Sequence, residues 1–145
     1  AATTQLNRLV AAGAPTISFL AGDTSRLPEV TPGSSAAQIR SSFSTAFNTG
    51  IQSTLAGYAA DGVIVHYLDL NRVLDNITAS PAAFGITNGL VCPAFNPPTP
   101  ASQTCVLNSA GYLFYGDQLH LTGAGFAIVA QYVVAQLNGP LTLQG

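Results

Sequence analysis

Apolar residues recur along this chain with two different spacings, and the switch between them marks out the elements. Leu6, Leu9 and Val10 have helical spacing, and Ala11-Ala12-Gly13 closes that helix in a C-cap pattern. Thr16 to Leu20 reads as a short buried strand, and Ala21 to Gly33, with its Gly, Asp, Ser, Thr and Pro residues, reads as loop. From Ser34 or Ser35 to about Tyr58, Ile39, Phe43, Phe47, Ile51 and Leu55 recur at four-residue steps. That spacing predicts a long amphipathic helix burying this stripe. Asp61-Gly62 then turns the chain into Val63 to Leu68, a nearly continuous apolar run expected of a parallel strand covered on both faces.

Strand, long helix and strand make a βαβ unit with a right-handed crossover. Asp69 to Asn76 predicts a short helix or turn, with Asp69 as a helix N-cap, and Thr78 to Gly111 predicts a long irregular segment rich in Pro. After Tyr112 to Tyr115, Thr122 caps a last helix to about Leu137, with Phe126, Val129, Tyr132 or Val133, and Leu137 inward. Residues 138–145 read as the start of a linker. The expected class is α/β, one domain over 1–145 with a small parallel sheet of two or three strands and flanking helices. So small a sheet leaves a strand edge unpaired, and the first helix opens with no capping residue. Both features lead us to expect a sheet completed by a missing N-terminal half or a second chain.

Composition narrows the function classes. The chain has 145 residues, 48% hydrophobic and only 7% charged, with four basic against six acidic side chains and a net charge of −2. No Lys occurs, so there is no basic patch for nucleic acid and no polybasic membrane anchor. Ala1 to Val10 lacks the basic start and apolar core of a signal peptide. Leu119 to Leu137, broken by His120, Gln131 and Gln136, falls short of a membrane span. A surface of Ser, Thr, Asn, Gln and Gly leans towards a secreted or cell-surface protein. Cys92 and Cys105 bracket the Pro-rich loop and fit one disulfide, with two unpaired buried thiols as the alternative, and they lack the spacing of a metal or redox pair.

The candidate chemistry lies in Tyr115-Gly116-Asp117-Gln118-Leu119-His120-Leu121-Thr122. An Asp and a His three residues apart, at the mouth of a helix, suit a base and its orienter. The imidazole takes a proton from a nucleophile, and the carboxylate sets its tautomer and steadies the imidazolium. The bland alternative is a polar turn capping the helix. Gly22-Asp23-Thr24-Ser25 follows a strand, so Thr24 or Ser25 is a weak candidate nucleophile, and a plain turn is the stronger reading. His66, among aliphatics in a strand, is expected to be a buried, hydrogen-bonded structural residue. Phe84, Phe95, Phe114 and Tyr115 either line an acyl pocket or belong to the core, and Asn76-Ile77-Thr78 matches a glycosylation sequon.

Several stretches, in order, resemble the C-terminal half of GDSL (SGNH) esterases and lipases, most of all secreted forms and passenger domains of bacterial autotransporters. They are Gly13-Ala14-Pro15-Thr16-Ile17, Phe47-Asn48, Leu68-Asp69-Leu70, Pro81 to Asn88, the two cysteines, and Phe114 to Thr122. The resemblance implies a partial flavodoxin-like, three-layer fold, incomplete without an N-terminal half. It implies that Asp117 and His120 are the Asp and His of a Ser-His-Asp triad, acting on an ester or lipid substrate without metal or cofactor. The family's Gly-Asp-Ser-Leu nucleophile motif and its Gly-x-Asn-Asp oxyanion motif do not occur here, so the chain alone is expected to be inactive. Leu121 stands where Pro often follows the His, and Gly116 is inserted ahead of the Asp. The rival reading is a non-catalytic surface passenger or binding domain on the same scaffold, and a third is a small hydrolase using Thr24 or Ser25.

Overall fold

The computed structural model describes residues 1–141. Helix α1 (Ala2–Ala11) leads into strand β1 (Thr16–Ala21), and helix α2 (Ser35–Ala60) crosses over to strand β2 (Ile64–Asp69). Helix α3 (Leu70–Ala79), strand β3 (Gly89–Val91), helix α4 (Pro100–Leu107), strand β4 (Tyr112–Phe114) and helix α5 (Gly123–Asn138) follow. The chain is therefore mixed α/β, with small parallel sheets and flanking helices. Its strands form two parallel pairs: β1 with β2 in the register Ile17↔Val65 and Phe19↔Tyr67, and β3 with β4 in the register Val91↔Phe114. The expectation of two or three strands is corrected to four, because Gly89–Val91 pairs within the stretch read as irregular.

Local signals explain most boundaries. The Ser34 hydroxyl accepts from the Ala37 N–H at 3.1 Å and starts α2. Asp61 and Gly62, the latter at φ +90°, end that helix in a conformation glycine adopts freely. The Asp69 carboxylate accepts from the Asn71 N–H at 3.0 Å and starts α3, as expected. α4 carries a capping box: Thr99 and Ser102 satisfy each other's backbone N–H groups, and Pro100 occupies the first turn. Cys92 and Cys105 stand at disulfide distance, with Cα atoms 6.0 Å apart, and tie the end of β3 to α4.

Two cores result. Leu6 of α1, Ile17 of β1 and Ile51 and Leu55 of α2 pack together, joined by Phe19, Val65 and Tyr67. These residues share one face of the β1–β2 pair, since strand side chains alternate and partners in register point the same way. The second core joins Val73 and Ile77 of α3, Ile86, Leu113 and Phe114 of β4, and Ile128 of α5. On the other face of the β1–β2 pair the cover is uneven: Leu68 is buried, while its neighbour Leu20 is 45% exposed.

The observed cover of these elements corrects four expectations. The α2 stripe is buried only in its second half: Ile51 and Leu55 are core, whereas Ile39 and Phe43 are about two-thirds exposed. Phe43 stacks on Phe47, and Phe47 meets Phe19 of β1, so an aromatic ridge runs from the sheet out along α2. β2 is not sealed on both faces, and His66, paired with Ser18 on the open side, is half-buried with no side-chain hydrogen bond among the described residues. In α5 Ile128 is buried and Tyr132, as expected, packs against the same core, whereas Phe126 and Leu137 face outward. Asn138 ends α5, and the second half of the expected linker, 142–145, lies outside the described residues. Among the described residues no helix is long and apolar enough to cross a membrane.

Candidate active site

β4 delivers the chain to a tight loop that doubles back on itself. The Gln118 N–H donates to the Tyr115 carbonyl at 2.9 Å, and the Tyr115 N–H donates to the His120 carbonyl at 2.9 Å. Gln118 takes a positive φ of 63°, a conformation uncommon for a side chain of its kind. Gly116 is required for a different reason. A Cβ there would stand 2.4 Å from the Pro93 carbonyl oxygen, so the loop lies directly on the segment after Cys92. On its far side the loop is locked by Thr122, which is fully buried. The Thr122 hydroxyl donates to the Tyr112 carbonyl at 2.6 Å and accepts from the Gly125 N–H at 3.1 Å. Gly125 lets α5 approach β4, since a Cβ would meet the Leu113 carbonyl oxygen at 2.7 Å.

This loop brings Asp117 and His120 together. Oδ2 of Asp117 is hydrogen-bonded to Nδ1 of His120. Oδ1 of the same carboxylate accepts from the backbone N–H groups of Leu119 and His120, each at 3.0 Å. The backbone N–H of His120, that of Leu119 and the imidazole together hold the Asp117 carboxyl down to about 2, so it is ionised at neutral pH. An ionised acceptor at Nδ1 keeps the proton on that nitrogen and leaves Nε2 as the basic one. The His120 side chain is 71% exposed, and no serine, threonine or cysteine side chain of the described residues hydrogen-bonds to it. The arrangement has a base and its orienter, open to a reacting group.

Beside His120 lies a recess of about 510 Å³ walled by Phe95, Val106, Tyr115, Gly116, Leu121 and Phe126 together with Asp117 and His120. Of the aromatics considered from sequence, Phe95 and Tyr115 line it, Phe114 is core, and Phe84 lies elsewhere. Val106, Leu121 and Phe126 were not singled out as pocket residues. The one available signal for Val106 was the Thr99-Pro100 helix start, which places it on α4 just after Cys105.

Thr24 and Ser25 occupy a different place. They form a short 3-10 turn after β1, where the Asp23 carboxylate accepts from the Ser25 N–H at 2.8 Å. Burial pushes the Asp23 carboxyl up, but hydrogen bonds from Ser25, Ser41 and Ser44 outweigh it and lower it. The Asp23 N–H donates to Asn71 and the Asn48 side chain donates to the Gly22 carbonyl, each at 3.0 Å, which pins the turn to α3 and α2. Ser25 borders a broad recess of about 590 Å³ and mixed polarity with Pro32, Gly33, Gln38 and Ser41. That recess is the larger of the two, yet no histidine lines it, and a hydroxyl without a base is a poor nucleophile. The chemistry therefore favours the smaller one. The two loops do touch, because the Glu29 N–H donates to the Gln118 carbonyl at 3.2 Å.

No family model and no curated protein matches this chain. Among the described residues no three His, Cys, Asp or Glu side chains gather as a metal site would require.

Proposed function

We propose that this chain is the C-terminal part of a GDSL-type carboxylic-ester hydrolase, supplying the Asp and His of a Ser-His-Asp triad. The single observation that carries the reading is the Asp117–His120 pair. Its Nδ1 is held by an ionised carboxylate, and its Nε2 is open beside an apolar recess. In the complete site a serine from outside these 145 residues gives its proton to Nε2 as its oxygen attacks the ester carbonyl. The imidazolium, steadied by Asp117, then protonates the departing alcohol, and water repeats the sequence on the acyl-enzyme. The open edge of β1 and the exposed aromatic ridge of α2 are where further strands and helices of such a domain would pack. A secreted or bacterial cell-surface protein suits the cysteine pair and the lysine-free surface.

The test combines mass and N-terminal analysis of the protein from its source with fluorophosphonate labelling and hydrolysis of p-nitrophenyl butyrate. The isolated chain is expected to show no burst and no label. A longer protein is expected to label at an upstream serine and to lose about 10⁶-fold in kcat on His120→Ala. Turnover by the isolated chain that depends on Ser25 or Thr24 would overturn the proposal in favour of a self-contained hydrolase. A longer protein that never labels would leave a non-catalytic surface passenger on the same scaffold.

A further inference from the structure

The Asp117–His120 loop keeps its shape against a local cost. Gln118 lies between the two residues at φ 63°, a region that a residue carrying a Cβ enters rarely. The Leu119 and His120 N–H groups reach the Asp117 carboxylate because the chain reverses there. Strain of this kind persists only where the surroundings fix the backbone from more than one side. Inside the loop the Gln118 N–H donates to the Tyr115 carbonyl at 2.9 Å. From outside, the Glu29 N–H donates to the Gln118 carbonyl at 3.2 Å.

The turn that presents the Glu29 N–H is itself well anchored. Leu27 to Val30 form a reverse turn closed by the Val30 N–H, which donates to the Leu27 carbonyl at 2.9 Å. Pro28 takes the second position, for which its fixed φ is preset, and the N–H of the third residue, Glu29, points away from the turn. Val30 is buried, and Leu27 packs on the core that holds Ile77 and Leu113, so the base of the turn is fixed. The Glu29 carboxylate accepts from the Arg40 guanidinium of α2 at 2.7 Å, and the same guanidinium nitrogen reaches the Thr24 carbonyl at 3.5 Å.

We propose that Arg40 and Glu29 are positioning residues for the Asp117–His120 pair. Their ion pair steadies the turn, and the Glu29 N–H then holds Gln118 in the reversed conformation that keeps the Asp117 carboxylate on Nδ1 of His120. Both act through Gln118 and not on the imidazole directly. The proposal rests on the esterase reading for the use made of the pair, so its test reads the ring nitrogens instead of turnover.

The quantity measured is the ratio of His120 rings protonated on Nδ1 to those protonated on Nε2. It is read from the ring nitrogen resonances of the isolated chain at mildly alkaline pH, where imidazoles are neutral. A histidine without a partner favours the proton on Nε2, so a weakened contact with Asp117 lowers the ratio. Arg40→Met and Glu29→Gln both remove the ion pair and keep the Glu29 N–H. Each should lower the ratio about threefold, the effect of one exposed ion pair, and speed exchange of the Glu29 amide. Arg40→Lys should restore most of the ratio. Arg26→Met breaks the pair that joins the same loop to Asp75 of α3, leaves Glu29 alone and should change nothing. Gln118→Gly removes the Cβ that makes the reversal costly, so in that background Arg40→Met should have no effect. A ratio unmoved by Arg40→Met and Glu29→Gln overturns the proposal. So does an equal fall with Arg26→Met, or a fall as large with Gln118→Gly as without it. Should Arg40→Met fail to fold by circular dichroism, Glu29→Gln decides alone. The expected ratios in a protein that never labels with fluorophosphonate in any form refute the esterase reading alone. Labelling with a ratio indifferent to Arg40 and Glu29 refutes this proposal alone.

Discussion

Thr122→Val tests whether the Asp117–His120 loop is held from behind by one hydroxyl. Thr122 is fully buried, and its oxygen serves two partners, donating to the Tyr112 carbonyl at 2.6 Å and accepting from the Gly125 N–H at 3.1 Å. Valine fills the same volume and can do neither. Loss of the N-cap costs about 1 kcal/mol, and stranding the Tyr112 carbonyl adds about 1–2 kcal/mol. The extra methyl recovers little, so a loss of about 2–3 kcal/mol is expected, which lowers Tm by about 5–10 °C in a domain of this size. Urea unfolding followed by far-UV circular dichroism measures it, with the slope m required to stay constant. Thr122→Ser is the matched control: it keeps the hydroxyl, removes one buried methyl and should cost about 1 kcal/mol. A valine variant as stable as the parent, or more stable than the serine variant, would refute the account of how the loop is anchored.

Gly116→Ala drives a Cβ to within 2.4 Å of the Pro93 carbonyl oxygen, so either the loop or the segment after Cys92 must shift. We expect a loss of about 1–3 kcal/mol and altered amide shifts at Asp117 and His120; an unperturbed spectrum would contradict the close approach. Reduction of the Cys92–Cys105 bridge releases a loop with a sequence separation of 13, worth about 3 kcal/mol, measurable as a drop in urea midpoint with dithiothreitol. Asp117 is held below its ordinary 3.8, so its contribution is complete above that value and disappears as pH falls through about 2. Because the carboxylate is 46% exposed, that contribution should stay under about 1 kcal/mol. Hydrogen exchange at the Leu119 and His120 amides should quicken over that acid range, and Asp117→Asn should remove the transition. Ile39→Ser with Phe43→Ser replaces side chains about two-thirds exposed on α2, so stability should change by less than about 0.5 kcal/mol.

Much of the fold could be read in the chain before any coordinates, wherever the physics is local. The caps at Ser34, Asp69 and Thr122 each satisfy an N–H within three residues, so sequence spacing alone identifies them. The βαβ unit also followed from the spacing of apolar residues. α4 was legible in Thr99-Pro100 and its Ser102 partner but was lost inside a Pro-rich stretch, and β3, at three residues, is too short to carry a period.

What the sequence determined by itself was the Asp117–His120 juxtaposition and the mixed α/β character, because contacts between residues three apart and caps on helices need no distant partner. Which face of a helix is covered is a different kind of fact. The four-residue stripe of α2 states that Ile39, Phe43, Ile51 and Leu55 share a side, yet only the last two are buried, and the packing of α1 and β1 decides that. The recess beside His120 was likewise beyond local reading. Its walls stand at residues 95, 106, 121 and 126, and they meet only because a bridge ties β3 to α4 and two glycines let three backbones come into contact.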